Sequence, residues 1–338
     1  MVLDGFGRPL STLRLSVTDR CNLRCSYCMP ETNYQWLEKP HLLSFEELVR
    51  VVRILQVYGL DRVRITGGEP LLRQQLPKLV GMLAAIGVSD LSMTSNAVLL
   101  ARSASALLQA GLKRLTVSLD TLKPDVFIKL AQRDEMAAVR QSLELVAGLG
   151  FQELKLDTVL VRGVNHGEAV DLVRFAGDLG AEIRFIEYMD VGGATGWSSD
   201  LVVPQAELLE TLAAAYGEAV ALPGRGAAPA QRYRLGNGQI IGIVASVTQP
   251  FCADCDRLRV TADGQLLACL YAKTGLDVRT SLRGGDSDEQ IGQLIGDFWR
   301  SRVDQGAVQR AAMLKRSGYV SLEELRANPR LEMHTRGG

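Results

Sequence analysis

Leu13-Arg14-Leu15-Ser16-Val17-Thr18-Asp19-Arg20-Cys21-Asn22-Leu23-Arg24-Cys25-Ser26-Tyr27-Cys28 runs from an apolar, strand-like segment straight into a loop with three thiols. Residues 13–17 read as a first β-strand, and the cysteines stand at its C-terminal end. Three thiolates spaced in this way on a tight loop can hold three irons of a four-iron, four-sulfur cube. The fourth iron is then open to a substrate or cofactor. Two other readings stay open on this loop alone: zinc completed by a distant fourth ligand, and buried thiols that bind nothing. Disulfides fit poorly. The first ten residues show no signal-peptide pattern, and so many close thiols suit a reducing compartment, so the expected location is cytoplasmic.

All six cysteines fall into two sets. Cys252 and Cys255 are separated by two residues, and thirteen more lead to Cys269. A knuckle and a returning hairpin can surround a metal, and Ala262-Asp263-Gly264-Gln265 is the turn of that hairpin. This set alone is also compatible with half a zinc site. Two separate sets of three favour two iron–sulfur clusters.

Outward from the first loop, strands and helices alternate. Strands are expected at 63–66, 91–94, 114–119, 154–161 and 183–186. Helices are expected at 44–58, 102–110, 136–149 and 168–179. Ser44 followed by Glu47 is a capping box, and Leu48, Val51, Val52 and Leu55 form its apolar stripe. About six strand–helix units imply an α/β fold with a parallel sheet covered by helices. An incomplete β/α barrel fits best, because chemically equipped residues follow several strands: the cysteines, Gly67–Glu69, Thr94-Ser95-Asn96, 118–120 and 187–189. A Gly, Pro and Ala-rich stretch at 223–229 follows a helix at 204–216 and suggests a boundary. The expected division is a partial barrel over 1–222 and a smaller region over 223–338 carrying the second cysteine set. That region has strands at 231–235, 240–245 and 258–261 and helices at 288–305 and 321–327.

The 338 residues carry 38 basic and 38 acidic side chains, which argues against a general nucleic-acid binder. No apolar run reaches membrane-spanning length without a charge. A few arginines converging in a cleft still suffice for an anionic small molecule. His41, His166 and His334 are too scattered for a metal triad, and no Walker A loop is present.

The cysteine loop, Tyr27 and Gly67-Gly68-Glu69-Pro70 resemble the radical S-adenosylmethionine superfamily. Residues 13–22, 64–73 and Glu187-Tyr188-Met189-Asp190 further resemble the GTP 3',8-cyclase family of molybdenum cofactor biosynthesis. So do Pro250-Phe251-Cys252, Cys255-Asp256-Arg257-Leu258-Arg259 and Gly337-Gly338. The resemblance implies two [4Fe-4S] clusters, one on Cys21, Cys25 and Cys28 and one on Cys252, Cys255 and Cys269. It implies an S-adenosylmethionine pocket lined by Tyr27, Gly68, Ser118 and Met189. It also implies that Arg14, Arg64, Thr94, Lys155, Arg257, Leu258 and Arg259 contact GTP, and that Arg257, Arg259, Gly337 and Gly338 serve catalysis. Guanidinium forks suit phosphate oxygens. Lys155, between Leu154 and Leu156, is expected to face the barrel mouth.

The implied reaction is radical cyclisation of GTP to (8S)-3',8-cyclo-7,8-dihydroguanosine 5'-triphosphate, through hydrogen removal at C3' and attack on C8. Implied partners are an unidentified electron donor, cyclic pyranopterin monophosphate synthase downstream and a second copy of the chain in a homodimer. Neither nucleic acid nor membrane is expected. Ala97 stands where the family often has glycine, and Arg336 where it often has an apolar residue. Two alternatives remain: a peptide-modifying radical enzyme with an auxiliary cluster, which richer C-terminal cysteine sets would favour, and an iron–sulfur electron-transfer protein, which would need no basic pocket.

Overall fold

The computed structural model describes residues 1–224, 226–313 and 316–337. The expected site residue Gly338 lies outside the described residues. In chain order the elements are β1 (Thr12–Ser16), α1 (Phe45–Val57), β2 (Arg62–Thr66), α2 (Leu76–Ala85), β3 (Asp90–Ser95) and α3 (Ala104–Gln109). There follow β4 (Arg114–Ser118), α4 (Pro124–Ala131), α5 (Met136–Ala147), β5 (Glu153–Leu160), α6 (Ala169–Asp178), β6 (Glu182–Glu187) and α7 (Gln205–Tyr216). The remainder comprises β7 (Val220–Ala221), β8 (Gln231–Arg234), β9 (Ile240–Val244), β10 (Arg257–Val260), β11 (Gln265–Leu267), β12 (Leu276–Asp277), α8 (Val278–Gly284), α9 (Asp288–Arg300), α10 (Gly306–Ala311) and α11 (Leu322–Ala327).

All twelve strands belong to one mixed sheet, in the order β12-β11-β10-β1-β2-β3-β4-β5-β6-β9-β8-β7. Every pairing from β10 through β1 to β6 and on to β9 is parallel. The strands expected after residue 223 thus extend the main sheet: β9 adds to β6, and β10 adds to β1 on the opposite flank. Both strands take residues whose neighbours in sequence are far from their neighbours in space, which local pattern alone does not disclose. Antiparallel hairpins finish the two edges.

Local chemistry explains the elements. In α1 the Ser44 hydroxyl accepts from the Glu47 N–H, and the Glu47 carboxylate accepts from the Ser44 N–H at 2.7 Å. The apolar face of α1, including Leu48, Val51, Val52 and Leu55, is buried. Pro124 opens α4, where a missing N–H costs nothing. On β1, Leu13 and Leu15 enter the core that helices cover, which leaves Arg14 to the other face. The helix expected over 288–305 ends at Arg300: the Arg302 N–H turns back to the Trp299 carbonyl at 3.0 Å, and the chain leaves the helix there. Among the described residues, no helix is long and apolar enough to cross a membrane.

Candidate active site

The first cysteine loop is hung between the sheet and α4. The Arg24 and Ser26 N–H groups donate to the carbonyls of Ala131 and Leu130 at 2.9 and 3.0 Å. The Cys28 and Met29 N–H groups both donate to the Cys25 carbonyl at 2.8 Å. Beside it, the Gly68 and Glu69 N–H groups after β2 bind the Thr18 and Arg20 carbonyls at 2.9 and 2.7 Å. A Cβ on Gly68 would collide with the Arg20 carbonyl oxygen, so glycine is required for the loop to lie this close. The buried Glu69 carboxylate accepts from Ser95 Oγ and the Asn96 N–H, both at 2.8 Å, and burial raises it to about 7 against those bonds. Asn96 Nδ2 reaches Asn22 Oδ1 at 2.8 Å and Cys21 Sγ at 3.8 Å.

Cys21, Cys25 and Cys28 are free thiols. Burial, and then the Glu69 carboxylate, pushes Cys21 up to about 11. Burial also raises Cys25 and Cys28, and neighbouring negative charge adds to it: Asp120 at Cys25, and the other thiolates at Cys28. Three thiolates that resist ionisation together are suited to positive iron, which would compensate all of them. Among the described residues no three His, Cys, Asp or Glu side chains close on one point to hold a single metal ion. A cubane does not require this, since each thiolate binds a different iron.

Cys252 lies on a short helical turn, Cys255 leads into β10, and Cys269 follows β11. Arg257 Nε and Nη2 lie 3.4 and 3.3 Å from Cys255 Sγ. Burial alone would raise Cys255, but Arg257 and Arg302 overcome it and hold the thiol at about 6. All six cysteines line one cavity of about 310 Å³.

A row of cations crosses three strands at this cavity, with Arg14 and Arg259 in its lining and Arg64 behind them. Parallel pairing sets Arg259 of β10 opposite Arg14 of β1, and Arg14 opposite Arg64 of β2. Burial, then Arg259, Arg64 and Arg257, holds the Arg14 guanidinium well below its ordinary value. Burial and Arg257 lower Arg259 to about 9. Arg64 Nη1 donates to Thr94 Oγ1 at 3.1 Å and Thr116 Oγ1 at 2.9 Å. The C-terminal segment closes over the row: Arg259 Nη1 donates to the Arg336 and Gly337 carbonyls, each at 2.9 Å, and Arg14 Nε also binds the Gly337 carbonyl.

Residues 15–176 match the Radical SAM superfamily, and residues 181–308 match Molybdenum Cofactor Synthesis C. A GTP 3',8-cyclase 3 of Mycobacterium bovis is 48% identical over 342 aligned residues, covering 100% of this chain and 90% of the relative. The chain belongs to the GTP 3',8-cyclase family. A GTP 3',8-cyclase 1 of Mycobacterium tuberculosis is also 48% identical, with 100% of this chain and 95% of the relative covered. Among solved structures, Streptococcus suis SuiB bound to S-adenosylmethionine has a TM-score of 0.61 at 16% identity, covering 85% of this chain and 68% of that one. That likeness concerns the fold. S-adenosylmethionine and iron–sulfur chemistry are typical of the cyclase family and its superfamily.

In this cyclase-family chain Tyr27, Gly68, Ser118 and Met189 line the cavity with Arg14, Thr94, Arg257 and Arg259. The Tyr27 hydroxyl donates to Asp120 Oδ2 at 2.5 Å, which leaves its ring as the part offered to a ligand. Thr94 Oγ1 is engaged by Arg64, whereas Ser95 Oγ is engaged by Glu69. Three expected contacts are placed apart from the cavity wall. Arg64 stands behind Thr94. Lys155 is buried against Glu153, two residues back on the same face of β5. Leu258 is fully buried opposite Leu13, so its side chain belongs to the core. Ala97 adopts φ 63, the left-handed conformation that the family's glycine takes easily. Arg336 is buried and donates to the carbonyls of Arg330, Leu270 and Ala272, so it anchors the tail.

Arg8, Arg184, Asp157 and Arg302 also line the cavity, and sequence reasoning passed over them. Arg184 had a usable signal: it lies between Ile183 and Phe185 on a strand, as Lys155 lies between two leucines. Arg8 and Arg302 had none, because both lie outside recognised strands.

Proposed function

We infer that this chain performs the radical cyclisation of GTP to (8S)-3',8-cyclo-7,8-dihydroguanosine 5'-triphosphate, the opening step of molybdenum cofactor biosynthesis. The observation that carries the reading is the Arg259–Arg14–Arg64 row on one level of adjacent strands, in a site whose cavity is lined by both three-cysteine sets. An electron carrier would not need such a cationic row. The sheet, with unpaired edges at β7 and β12, is read as the incomplete barrel of this class. Residues 1–222 would supply the cofactor half and 223–338 the substrate half.

Cys21, Cys25 and Cys28 would hold one [4Fe-4S] cluster, and Cys252, Cys255 and Cys269 a second. S-adenosylmethionine, when bound at the first, supplies a carbon-centred radical able to take hydrogen from an unactivated C–H bond. Gly68 lets the backbone approach that cofactor, and the Tyr27 ring, Ser118 and Met189 complete its walls. Arg14, Arg257 and Arg259 would pair with the triphosphate and guanine, with Arg64 fixing Thr94 beside them. Lys155 would contribute its charge from beneath the wall. The Gly337 carbonyl orients Arg14 and Arg259, and Gly338 would serve catalysis with it. Enclosure would exclude water and hold C3' near C8, the kind of alignment that orientation rewards strongly.

An electron donor, a homodimer and delivery of product to cyclic pyranopterin monophosphate synthase complete the proposal. Six free cysteines suit a reducing cytoplasm. The test is anaerobic reconstitution with GTP and S-adenosylmethionine, with iron and sulfide each near eight per chain as the ideal for two cubanes. Cyclised nucleotide together with 5'-deoxyadenosine is expected. Cofactor cleavage that GTP never converts into cyclised product would overturn the reading.

A further inference from the structure

Asp4, Arg8 and Arg302 form a buried group behind the second cysteine set, each no more than 7% exposed. The two oxygens of Asp4 divide the work. Oδ1 accepts from the Phe6 and Arg8 N–H groups at 3.0 and 2.9 Å, which closes a turn. Oδ2 accepts from Arg8 Nε at 2.6 Å and Arg302 Nη1 at 3.0 Å, so one carboxylate joins two guanidiniums. Those guanidiniums then reach the backbone around all three cysteines. Arg8 Nη1 donates to the Cys252 carbonyl at 2.7 Å and the Asp304 carbonyl at 2.9 Å. Arg302 donates to the Cys255 carbonyl at 2.7 Å and, through Nε, to the carbonyl of Ala268, next to Cys269, at 3.0 Å. Trp299 lies beneath, with the Arg302 guanidinium 4.5 Å from its ring centre and its own Nε1 donating to the Arg8 carbonyl at 3.2 Å.

We propose that Asp4 is a positioning residue for the second cysteine set, acting through Arg8 and Arg302 to fix the spacing of Cys252, Cys255 and Cys269. The turn at 252–255 and the segment that follows β11 must present three sulfurs at matched distances. The Asp4 bridge ties them at their carbonyls. One donor remains over: Arg8 Nη2 is buried without a hydrogen-bond partner, and Arg8 lines the cavity. It is free to donate to a sulfide of the group held there, an outer contact that raises a cluster's potential. The inference rests on the second-cluster reading above.

The test uses the anaerobic full-length chain and a second background in which Cys21, Cys25 and Cys28 are all alanine, so that only the second set can hold iron. Asp4→Asn should speed iron release to a chelator about 10–100-fold. It should also move the cluster midpoint upward, because it removes a negative charge. Arg8→Met should move the midpoint downward, because it removes a positive charge and a donor. Opposite signs distinguish positioning at the cluster from simple loss of folding. Glu168→Gln alters a buried carboxylate bound to Thr121, and should change neither quantity. Unchanged release and potential in Asp4→Asn, or shifts of one sign in both variants, would overturn the proposal. Should Asp4→Asn fail to fold, Arg302→Lys keeps the charge but loses a two-carbonyl fork, and a wild-type release rate there is equally fatal. If the second background holds no iron, the cluster reading fails. Hydrogen exchange then decides the Asp4 bridge separately: 252–255 and 268–270 must loosen more in Asp4→Asn than in Glu168→Gln, and equal protection refutes it.

Discussion

Gly337→Ala should uncouple cofactor cleavage from cyclisation while leaving the fold in place. Gly337 sits at φ 65, where its added Cβ would lie 2.6 Å from Thr66 Oγ1 and 3.2 Å from Ser16 Oγ. The left-handed backbone alone costs a side-chain-bearing residue roughly 1–2 kcal/mol, about tenfold in the docked-to-detached ratio of the tail. The contact with Thr66 adds to that, since Thr66 is buried on β2 and has little room to turn. What is lost on detachment is the carbonyl that Arg14 and Arg259 share. Bonds to charged donors contribute roughly 1.5–3 kcal/mol each, so the balance between docked and free tail lies within reach of one methyl group. Global stability should scarcely move, because the substitution sits beyond the last helix. The assay is cyclised nucleotide formed per 5'-deoxyadenosine released, with iron content and melting temperature measured on the same sample. A fall of about tenfold in that ratio, with both controls unchanged, is expected. Wild-type coupling in Gly337→Ala would falsify the reasoning, because neither the strain nor the guanidinium contact could then matter to catalysis.

Cys25→Ser should abolish S-adenosylmethionine cleavage, whereas Cys255→Ser should retain some cleavage and form no cyclised product; product profiles of the two variants decide it. Arg257→Ala and Arg259→Ala should each weaken GTP binding by about 10- to 150-fold, the equivalent of roughly 1.5–3 kcal/mol, and calorimetric titration of GTP measures it. Arg14→Met should stabilise the ligand-free protein against denaturant and weaken GTP binding, and a destabilised variant with intact GTP affinity contradicts the cation row. Burial, helped by Arg184, lowers Lys155 to about 8. The unfolded chain therefore keeps this proton to higher pH than the fold does, and stability rises from about pH 8 to 10.5, by roughly 3 kcal/mol in wild type relative to Lys155→Met. Parallel urea titrations across that window, showing no difference between the two proteins, dispose of the claim.

Much of the fold follows from sequence because its signals are local. The capping box at Ser44 and Glu47 starts α1, the runs at 63–66 and 91–94 fall within β2 and β3, and that at 154–161 overlaps β5 to within one residue. The cysteine spacing points to the metal chemistry just as directly. Other features are hidden because long-range pairing creates them. Nothing around residue 258 says that β10 will lie beside β1, more than two hundred residues earlier. Leu258 reads as a site residue through its neighbours, yet strand alternation turns its side chain into the core. Lys155 shows the limit of arguing from a charge in an apolar strand: the charge is indeed buried, but Glu153 on the same strand is what it meets. Arg8 and Arg302 are legible only after the chain ends have been brought together around Asp4.

The same pairing explains why the row of arginines is electrostatically strained before anything binds. Neighbouring strands lie about 4.8 Å apart, so side chains at one level of a parallel sheet are forced into proximity. Like charges brought together in this way oppose one another's protonation, as Arg259, Arg64 and Arg257 do at Arg14. Arg259, Arg14 and Arg64 occupy three successive strands at one level, set there by the register of the strands. The fold relieves this only partly. Asp157 attracts Arg14 and Arg64, and Thr94, Thr116 and the Gly337 carbonyl accept from the row without neutralising it. On the proposed reading, a polyanion would supply the missing negative charge, and its binding would relieve that repulsion. Position along the row then follows from chemistry at its ends. The Cys252, Cys255 and Cys269 set adjoins Arg257 and Arg259, while Thr94 and the loop after β3 lead to the first cysteine set. On the proposed reading, a nucleotide held by its phosphates against Arg14 and Arg259 would lie between the two cysteine sets that line the same cavity. Such a position is what the proposed reaction would require, with a radical made at one end acting on a base held at the other.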